Sequence, residues 1–260
     1  MAVYTQLSEA DIRSLLAEFD LGTLDSYQGI DGGIENTNYF VNTRLGASKS
    51  AGEQQQFVLT LFEELDADEM GFFVELTGFL AAKGIPVPAP LKDRNGIALK
   101  IQSQRPALLL PRFPGSQVTE LQPQHCTQIG DALARMHQAG RNFYLNRQAH
   151  RGVFWWRRES KNVAAHLSVE DAELLRQEVA LFDELREQPW DLPSGIIHGD
   201  LFHDNALFEG DQLRAIIDLY NACTGYLLYD LAIVANDWCV EADGSLDPQR
   251  LSALLGAYGA

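Results

Sequence analysis

Cysteine is scarce in the 260-residue chain: Cys126, Cys223 and Cys239 lie far apart and form no C-x-x-C pair. That excludes a disulfide framework and a cysteine-based zinc site, and it points to reduced thiols in a cytoplasmic protein. Long apolar runs are missing too. No stretch approaches the roughly 18 residues of a membrane span, and the opening MAVYTQLSEADI lacks the basic and apolar regions of a secretion signal. Positive charge is short, with 20 Lys and Arg against 36 Asp and Glu for a net −16. A field of that sign repels nucleic acid and anionic membranes, so any anionic ligand has to be held locally, by backbone N–H groups or with a divalent cation. H-E-x-x-H and His/Cys clusters are absent, which argues against a tightly held transition metal. What remains, 46% apolar and 22% charged residues, is a globular chain of one large or two small domains whose core needs no staple.

Periodicity divides the chain. Residues 8–19 read as a helix capped by Ser8, with Ile12, Leu15, Leu16 and Phe19 on one face. The runs YFVNT (39–43), FVLTLF (57–62), IALKI (97–101) and ALLLPRF (107–113) read as strands. Between the second and third lies a helix, with Asp66 and Glu69 at capping-box spacing and Phe72, Phe73, Leu76, Phe79 and Leu80 on one face, stopped by Gly84 and Pro86. From PRFPGS (111–116) onward the period is helical, over 123–139 and again over 168–187. The second of these stacks Leu174, Leu175, Leu181, Phe182 and Leu185 behind a Ser168–Asp171 cap. One hairpin interrupts it, NALF, EGDQ and LRAIIDL (205–219). The expected class is therefore α+β in two lobes, with an N-terminal lobe at 1–110, a hinge at 111–116 and a mainly helical lobe at 117–260. A ligand is expected in the cleft between them.

Chemistry concentrates at the hairpin. IIHGDLFHDNALF sets His198, Asp200 and Asn205 in H-x-D-x-x-x-x-N, and Asp218 follows thirteen residues later at the end of AIIDL. This is the spacing of a phosphotransferase catalytic loop. Asp200 is the expected base for a hydroxyl proton, while the amide oxygen of Asn205 and the carboxylate of Asp218 are hard ligands for magnesium. His198 is expected to brace the loop. On the N-terminal side QGIDGGIENTNYFV (28–41) offers the nucleotide phosphates a glycine turn, Gly32 and Gly33, beside Asn36, Thr37 and Asn38. The backbone of ALLLPRF, with Leu110 and Arg112, could hydrogen-bond an adenine.

HGDLFHDN, AIIDL, YDLA (229–232) and LARMH (133–137) together resemble the aminoglycoside phosphotransferase and choline kinase superfamily, which has a protein-kinase-like fold. Within it, ENTNYFV (35–41), FVLTLFE (57–63), LYNACTGYLLYDLAIVANDWC (219–239) and the PxPAP of residues 86–90 resemble the homoserine kinases of this fold. The resemblance implies ATP and Mg2+ as cofactors and L-homoserine as the small-molecule acceptor, giving O-phospho-L-homoserine on the way to threonine. Choline-, methylthioribose- or aminoglycoside-type hydroxyls are the alternatives, as is a nucleotide-binding scaffold without turnover. The resemblance also places Tyr220, Asn221, Asn236, Asp237 and Trp238 along the acceptor side, of which Tyr220, Asn236 and Trp238 are the expected contacts. Asp230 is expected to be a structural brace for the catalytic loop.

Two departures stand out. Where kinase-like strands carry V-A-I-K, this chain has Phe57-Val58-Leu59-Thr60, so phosphate neutralisation falls on magnesium and backbone donors. The helical pattern that starts at Asp247-Pro248, with Leu251, Leu254, Leu255 and Tyr258 on one face, runs to the last residue, which suggests a truncated form of such a kinase.

Overall fold

In the computed structural model, residues 3–31, 35–45, 54–188 and 191–260 are described. The chain forms two units, Met1–Val118 with Ala206–Ile217 and Thr119–Asn205 with Asp218–Ala260.

The first unit begins with helix α1 (Glu9–Leu16), set by a capping box in which Ser8 Oγ accepts from Asp11 N and the Asp11 carboxylate accepts from Ser8 N at 2.8 Å. Strands β1 (Thr23–Gly29), β2 (Asn36–Arg44) and β3 (Gln54–Phe62), helix α2 (Ala67–Ala82), and strands β4 (Lys100–Gln102) and β5 (Arg105–Pro111) follow. The sheet runs β1-β2-β3-β5-β4 with every neighbour antiparallel. Strand β1 was not anticipated, because TLDSYQG is an edge strand that buries only Leu24 and so carries no alternation to read. Of IALKI, only the last two residues are strand.

Strand β2 alternates strictly, placing Thr37, Tyr39, Val41 and Thr43 inside. With Leu59, Leu61 and Leu109 from the neighbouring strands, Tyr39 and Val41 face Ile12, Leu15, Leu16 and Phe19 in one buried cluster. Each large side chain there contributes about 1.5–3 kcal/mol by leaving water. The other sheet face carries two cross-strand rows, Asn38–Thr60–Leu108 and Phe40–Val58–Leu110. Helix α2 starts at the Asp66–Glu69 capping box and stops before Gly84, whose φ of 77° suits glycine. Gly115 and Ser116, within the expected hinge, are pinned rather than loose. Ser116 exchanges backbone hydrogen bonds with Phe208 at 2.9 and 2.8 Å, and a Cβ on Gly115 would lie 2.5 Å from Phe208 O.

The second unit contains α3 (Pro123–Gly140), α4 (Val153–Val163), α5 (Val169–Glu187) and strand β6 (Ser194–Ile197). After Asn205 the chain returns to the first unit as the hairpin β7 (Ala206–Glu209) and β8 (Gln212–Ile216). It then re-enters the second at Asp218 for β9 (Cys223–Tyr226), α6 (Leu227–Trp238) and α7 (Pro248–Tyr258). Strands β6 and β9 pair antiparallel. Helices α3 and α7 approach closely at Gly130, where a Cβ would lie 2.5 Å from Leu254 O.

Two helices differ from expectation. Helix α5 has the expected Ser168 cap but buries none of its residues, and Leu174, Leu181 and Leu185 stay about half exposed. It meets α4 through Phe182 against Trp156, with ring centroids 4.8 Å apart, and through the Arg157–Asp183 ion pair at 2.6 Å. Helix α6, which reads as apolar nearly all round, buries one stripe of Leu227, Asp230, Val234 and Trp238 and exposes Leu228. No helix among the described residues is long and apolar enough to cross a membrane.

Candidate active site

The loop after β6 is shaped by α6. Asp230, fully buried, accepts the backbone N–H of His198 on Oδ2 and that of Gly199 on Oδ1, both at 2.8 Å. Its Oδ2 also meets His137 Nε2 from α3 at 2.9 Å, and His137 Nδ1 meets the Tyr258 hydroxyl at 2.8 Å. Burial alone would raise the Asp230 carboxyl. The His137 hydrogen bond, the charges of His137 and His198 and the Gly199 N–H outweigh it and hold the group below the usual carboxylate range. Two turns further along α6, Trp238 Nε1 donates to Leu201 O at 3.0 Å, and Asp237 Oδ2 accepts His203 N at 2.6 Å and meets His203 Nδ1 at 2.9 Å. Three side chains of one helix thus fix the backbone on both sides of Asp200.

Gly199 has a φ of 78°, and a Cβ there would lie 2.9 Å from Asn221 O, so conformation and space both require glycine. Asp200, half-buried, takes Asn221 Nδ2 on its Oδ2 at 3.3 Å. Asn205 Nδ2 donates to Asp200 O at 2.8 Å and stands 3.5 Å from Asp200 Oδ2. With its nitrogen anchored there, the Asn205 amide directs its oxygen elsewhere. Asn205 lies one residue before, and Asp218 two residues after, the last paired residues of the hairpin, Ala206 and Ile216. The chain's two passages between units beside that hairpin therefore fall at the two oxygen-bearing residues. Asp218 is exposed in the left-handed region at φ 59° and leads the 3₁₀ turn Leu219–Asn221 that delivers Asn221 to Asp200. An asparagine amide oxygen and a carboxylate are the ligand types that suit magnesium, which takes few protein ligands and completes its shell with water and substrate phosphates.

A cavity of about 390 Å³ lies within the second unit. Gly199 and Asn221, which adjoin Asp200 in sequence and by hydrogen bond, contribute to its wall, with Arg151, Trp156, Phe182, Arg186 and Tyr229 from the helical part. The Tyr229 phenol is raised, chiefly by burial and further by the charges of Cys223, Asp230 and Asp200. It therefore remains a neutral hydroxyl.

Asp200, Asn205 and Asn221 are joined by hydrogen bonds, with Asp218 on the adjoining turn. The Trp238 acceptor contact is corrected: the indole is fully buried and its N–H is spent on Leu201 O. Asn236 is exposed and not part of the cavity wall. Tyr220 is half-buried beside Asp218, and burial with that charge raises its phenol. Asp237 is engaged with His203. In the first unit the Thr37 phosphate contact is also corrected: its fully buried hydroxyl accepts Tyr4 N at 2.9 Å and Thr5 N at 3.1 Å and donates to Glu63 at 2.7 Å.

Asn38 Oδ1 accepts from the Thr60 hydroxyl at 2.7 Å, Asn36 pairs opposite Phe62, and Leu110 is buried. Arg112 lays its guanidinium 4.0 Å from the Phe40 ring centroid, but its N–H is taken by Gln56 O at 3.1 Å and is not free for an adenine. Gly32 and Gly33 lie outside the described residues.

A restrained carboxylate beside a cavity, followed by an amide and a carboxylate at the two ends of one hairpin, is the equipment of phosphoryl transfer to a hydroxyl. Residues 26–260 match the model of the phosphotransferase enzyme family, and the chain belongs to that family. Among curated proteins it is 42% identical over 258 residues to a homoserine kinase of Pseudomonas aeruginosa, covering 99% of this chain and 79% of that one. It is 43% identical to a homoserine kinase of Methylobacillus flagellatus, covering 100% and 78%. Among solved structures it superposes on an amicoumacin kinase in complex with AMP-PNP and Ca2+ with a TM-score of 0.75 at 16% identity, over 97% of this chain and 78% of that one. A spectinomycin phosphotransferase gives 0.68 at 14%, over 98% and 81%. The fold is that of these small-molecule kinases.

Proposed function

We propose that this chain is an ATP-dependent kinase that transfers the γ-phosphate of ATP to the hydroxyl of L-homoserine, giving O-phospho-L-homoserine for threonine synthesis. The observation that carries the reading is the placement of Asp200. Its carboxylate is held by Asn221, a residue of the cavity wall, in a chain 42% identical to homoserine kinases. Asp200 accepts the acceptor's hydroxyl proton on a carboxylate oxygen, and the Asn205 and Asn221 amides restrain its rotation, so the gain comes mostly from orientation. Asn205 Oδ1 and the Asp218 carboxylate hold the magnesium that arrives with ATP. That ion, when bound, neutralises charge building on the phosphate oxygens. In the first unit Asn36, Asn38 and Leu110 remain the proposed nucleotide side.

Among the described residues the cavity wall contains no Asp or Glu, which disfavours polycationic aminoglycosides. Its volume of about 390 Å³ lies near the lower end of the roughly 300–1,000 Å³ typical of ligand sites and fits a small acceptor. A cytoplasmic setting belongs to the same proposal, supported by three buried free thiols. The test is ADP release with and without L-homoserine, on the wild type and on Asp200→Asn. Homoserine-dependent release that falls at least about 10³-fold in the variant, with Mg-ATP binding retained, is expected. Turnover retained by Asp200→Asn refutes the assigned base.

A further inference from the structure

The cavity in the second unit is electrostatically unlike the rest of the molecule. The chain has 36 acidic side chains, yet among the described residues the cavity wall carries Arg151 and Arg186 and no carboxylate. The two arginines differ in their surroundings. The Arg151 guanidinium stands 6.0 Å from the Trp155 ring centroid. Arg186, on the last turn of α5, is exposed and has no hydrogen-bond or ion-pair partner among the described residues. Arg157, which faces α5 from α4, is by contrast closed onto Asp183 at 2.6 Å. A planar fork of donors at a cavity wall, with no lining carboxylate to compete for it, matches the bidentate geometry of a carboxylate ligand.

The aromatic part of the wall is one packed cluster. The Trp156 and Phe182 centroids are 4.8 Å apart and those of Phe182 and Tyr229 6.2 Å, both pairs near edge-to-face. Together they form one apolar side of the wall, against which the methylene groups of a small acceptor can lie. The same wall contains Gly199 and Asn221, which border Asp200 in sequence and by hydrogen bond. A molecule filling the cavity therefore meets a carboxylate receptor at one place and the catalytic segment at another.

We propose that Arg186 is a specificity-determining residue: its guanidinium binds the α-carboxylate of an amino-acid acceptor and selects that acceptor over the same amino alcohol without a carboxylate. The proposal rests on the reading of this cavity as the acceptor site. Calorimetric binding of L-homoserine and of 3-aminopropan-1-ol, which lacks only the carboxylate, tests it without turnover, in the presence of Mg-AMP-PNP. Wild type is expected to bind L-homoserine on the order of 10-fold more tightly, the low end for a charge-assisted hydrogen bond because Arg186 is exposed. Arg186→Met is expected to erase most of that preference, and Arg186→Lys to restore part of it. Binding of the amino alcohol and of the nucleotide should change less than about threefold, since Arg186 supports no described contact in the fold. No wild-type preference, or a preference that survives Arg186→Met, overturns the proposal. L-homoserine binding that depends on Arg186 without ADP release would instead refute the kinase reading and leave the carboxylate receptor standing.

Discussion

Asp230→Asn removes one charge from the centre of the brace and keeps the shape of the side chain. In the wild type Oδ2 serves His198 N and His137, and Oδ1 serves Gly199 N alone. An asparagine keeps its oxygen on the side with two partners, so its NH2 faces the Gly199 N–H and leaves that buried donor unpaired. Hydrogen bonds to a charged group are worth about 1.5–3 kcal/mol each, and an orphaned buried donor costs about 1–3 kcal/mol. Removing one partner of a buried ionic pair typically costs about 3–5 kcal/mol, so a loss in that range is expected. The damage falls one residue from Asp200, so turnover should drop at least about tenfold beyond any loss of folded protein.

Urea unfolding followed by tryptophan fluorescence reads the stability, and ADP release at saturating substrates reads the turnover. The sign of the pH dependence follows from the carboxyl being held below its ordinary value. The brace is intact above the unfolded carboxylate value of about 3.9 and is lost as pH falls through the lower folded value. A variant within about 1 kcal/mol of wild type and within twofold in turnover would refute the role given to Asp230.

Two further outcomes follow from local geometry. Gly199→Ala forces a φ of 78° on a residue with a Cβ and drives that Cβ to 2.9 Å from Asn221 O. A loss of about 1–2 kcal/mol in unfolding free energy and a fall in kcat with little change in ATP affinity are expected, and an unchanged kcat would disprove the coupling of Gly199 to Asn221. In the first unit Asp93 is held at about 2, first by the Lys100 ammonium and then by the N–H groups of Ile97 and Asn95. Its stabilisation is present above about pH 4 and disappears as pH falls toward 2. Asp93→Asn should flatten that part of an acid-unfolding curve followed by circular dichroism, and an unaltered curve would count against it.

Local signals were legible wherever one residue type solves one backbone problem. The cap at Ser8, the box at Asp66, the stop at Gly84 and the helix start at Asp247-Pro248 all lie where the sequence places them. The alternation of β2 is legible because one of its faces is buried against α1. Strand β1 was not, since an edge strand needs no apolar side. Helix α5 misleads for the reverse reason: its leucines follow helical spacing but face no core. Trp238 and Thr37 share a different cause. Each has the right polar atom near the right motif, yet the partner that consumes it, Leu201 O or Glu63, is fixed only by tertiary packing. Arg186 carried no signal at all, because a lone arginine in the last turn of a helix reads as a favourable dipole partner.

Positive charge is placed sparingly, and the arrangement explains why an acidic chain can handle two anionic groups. At the strand position where kinase-like proteins carry lysine, Thr60 is only 4% exposed and donates to Asn38, so an ammonium there would sit in buried surroundings already hydrogen-bonded without it. On the proposed reading the phosphate charge would fall to a hydrated cation held by Asn205 and Asp218, whose own oxygens add nothing positive to the protein. The proposed carboxylate contact is left to an arginine in a cavity wall that has no Asp or Glu among the described residues. Both devices, with Asp200 and the α6 brace, belong to the second unit. On the proposed reading the base, the metal oxygens and the acceptor contacts all belong to one body of the fold.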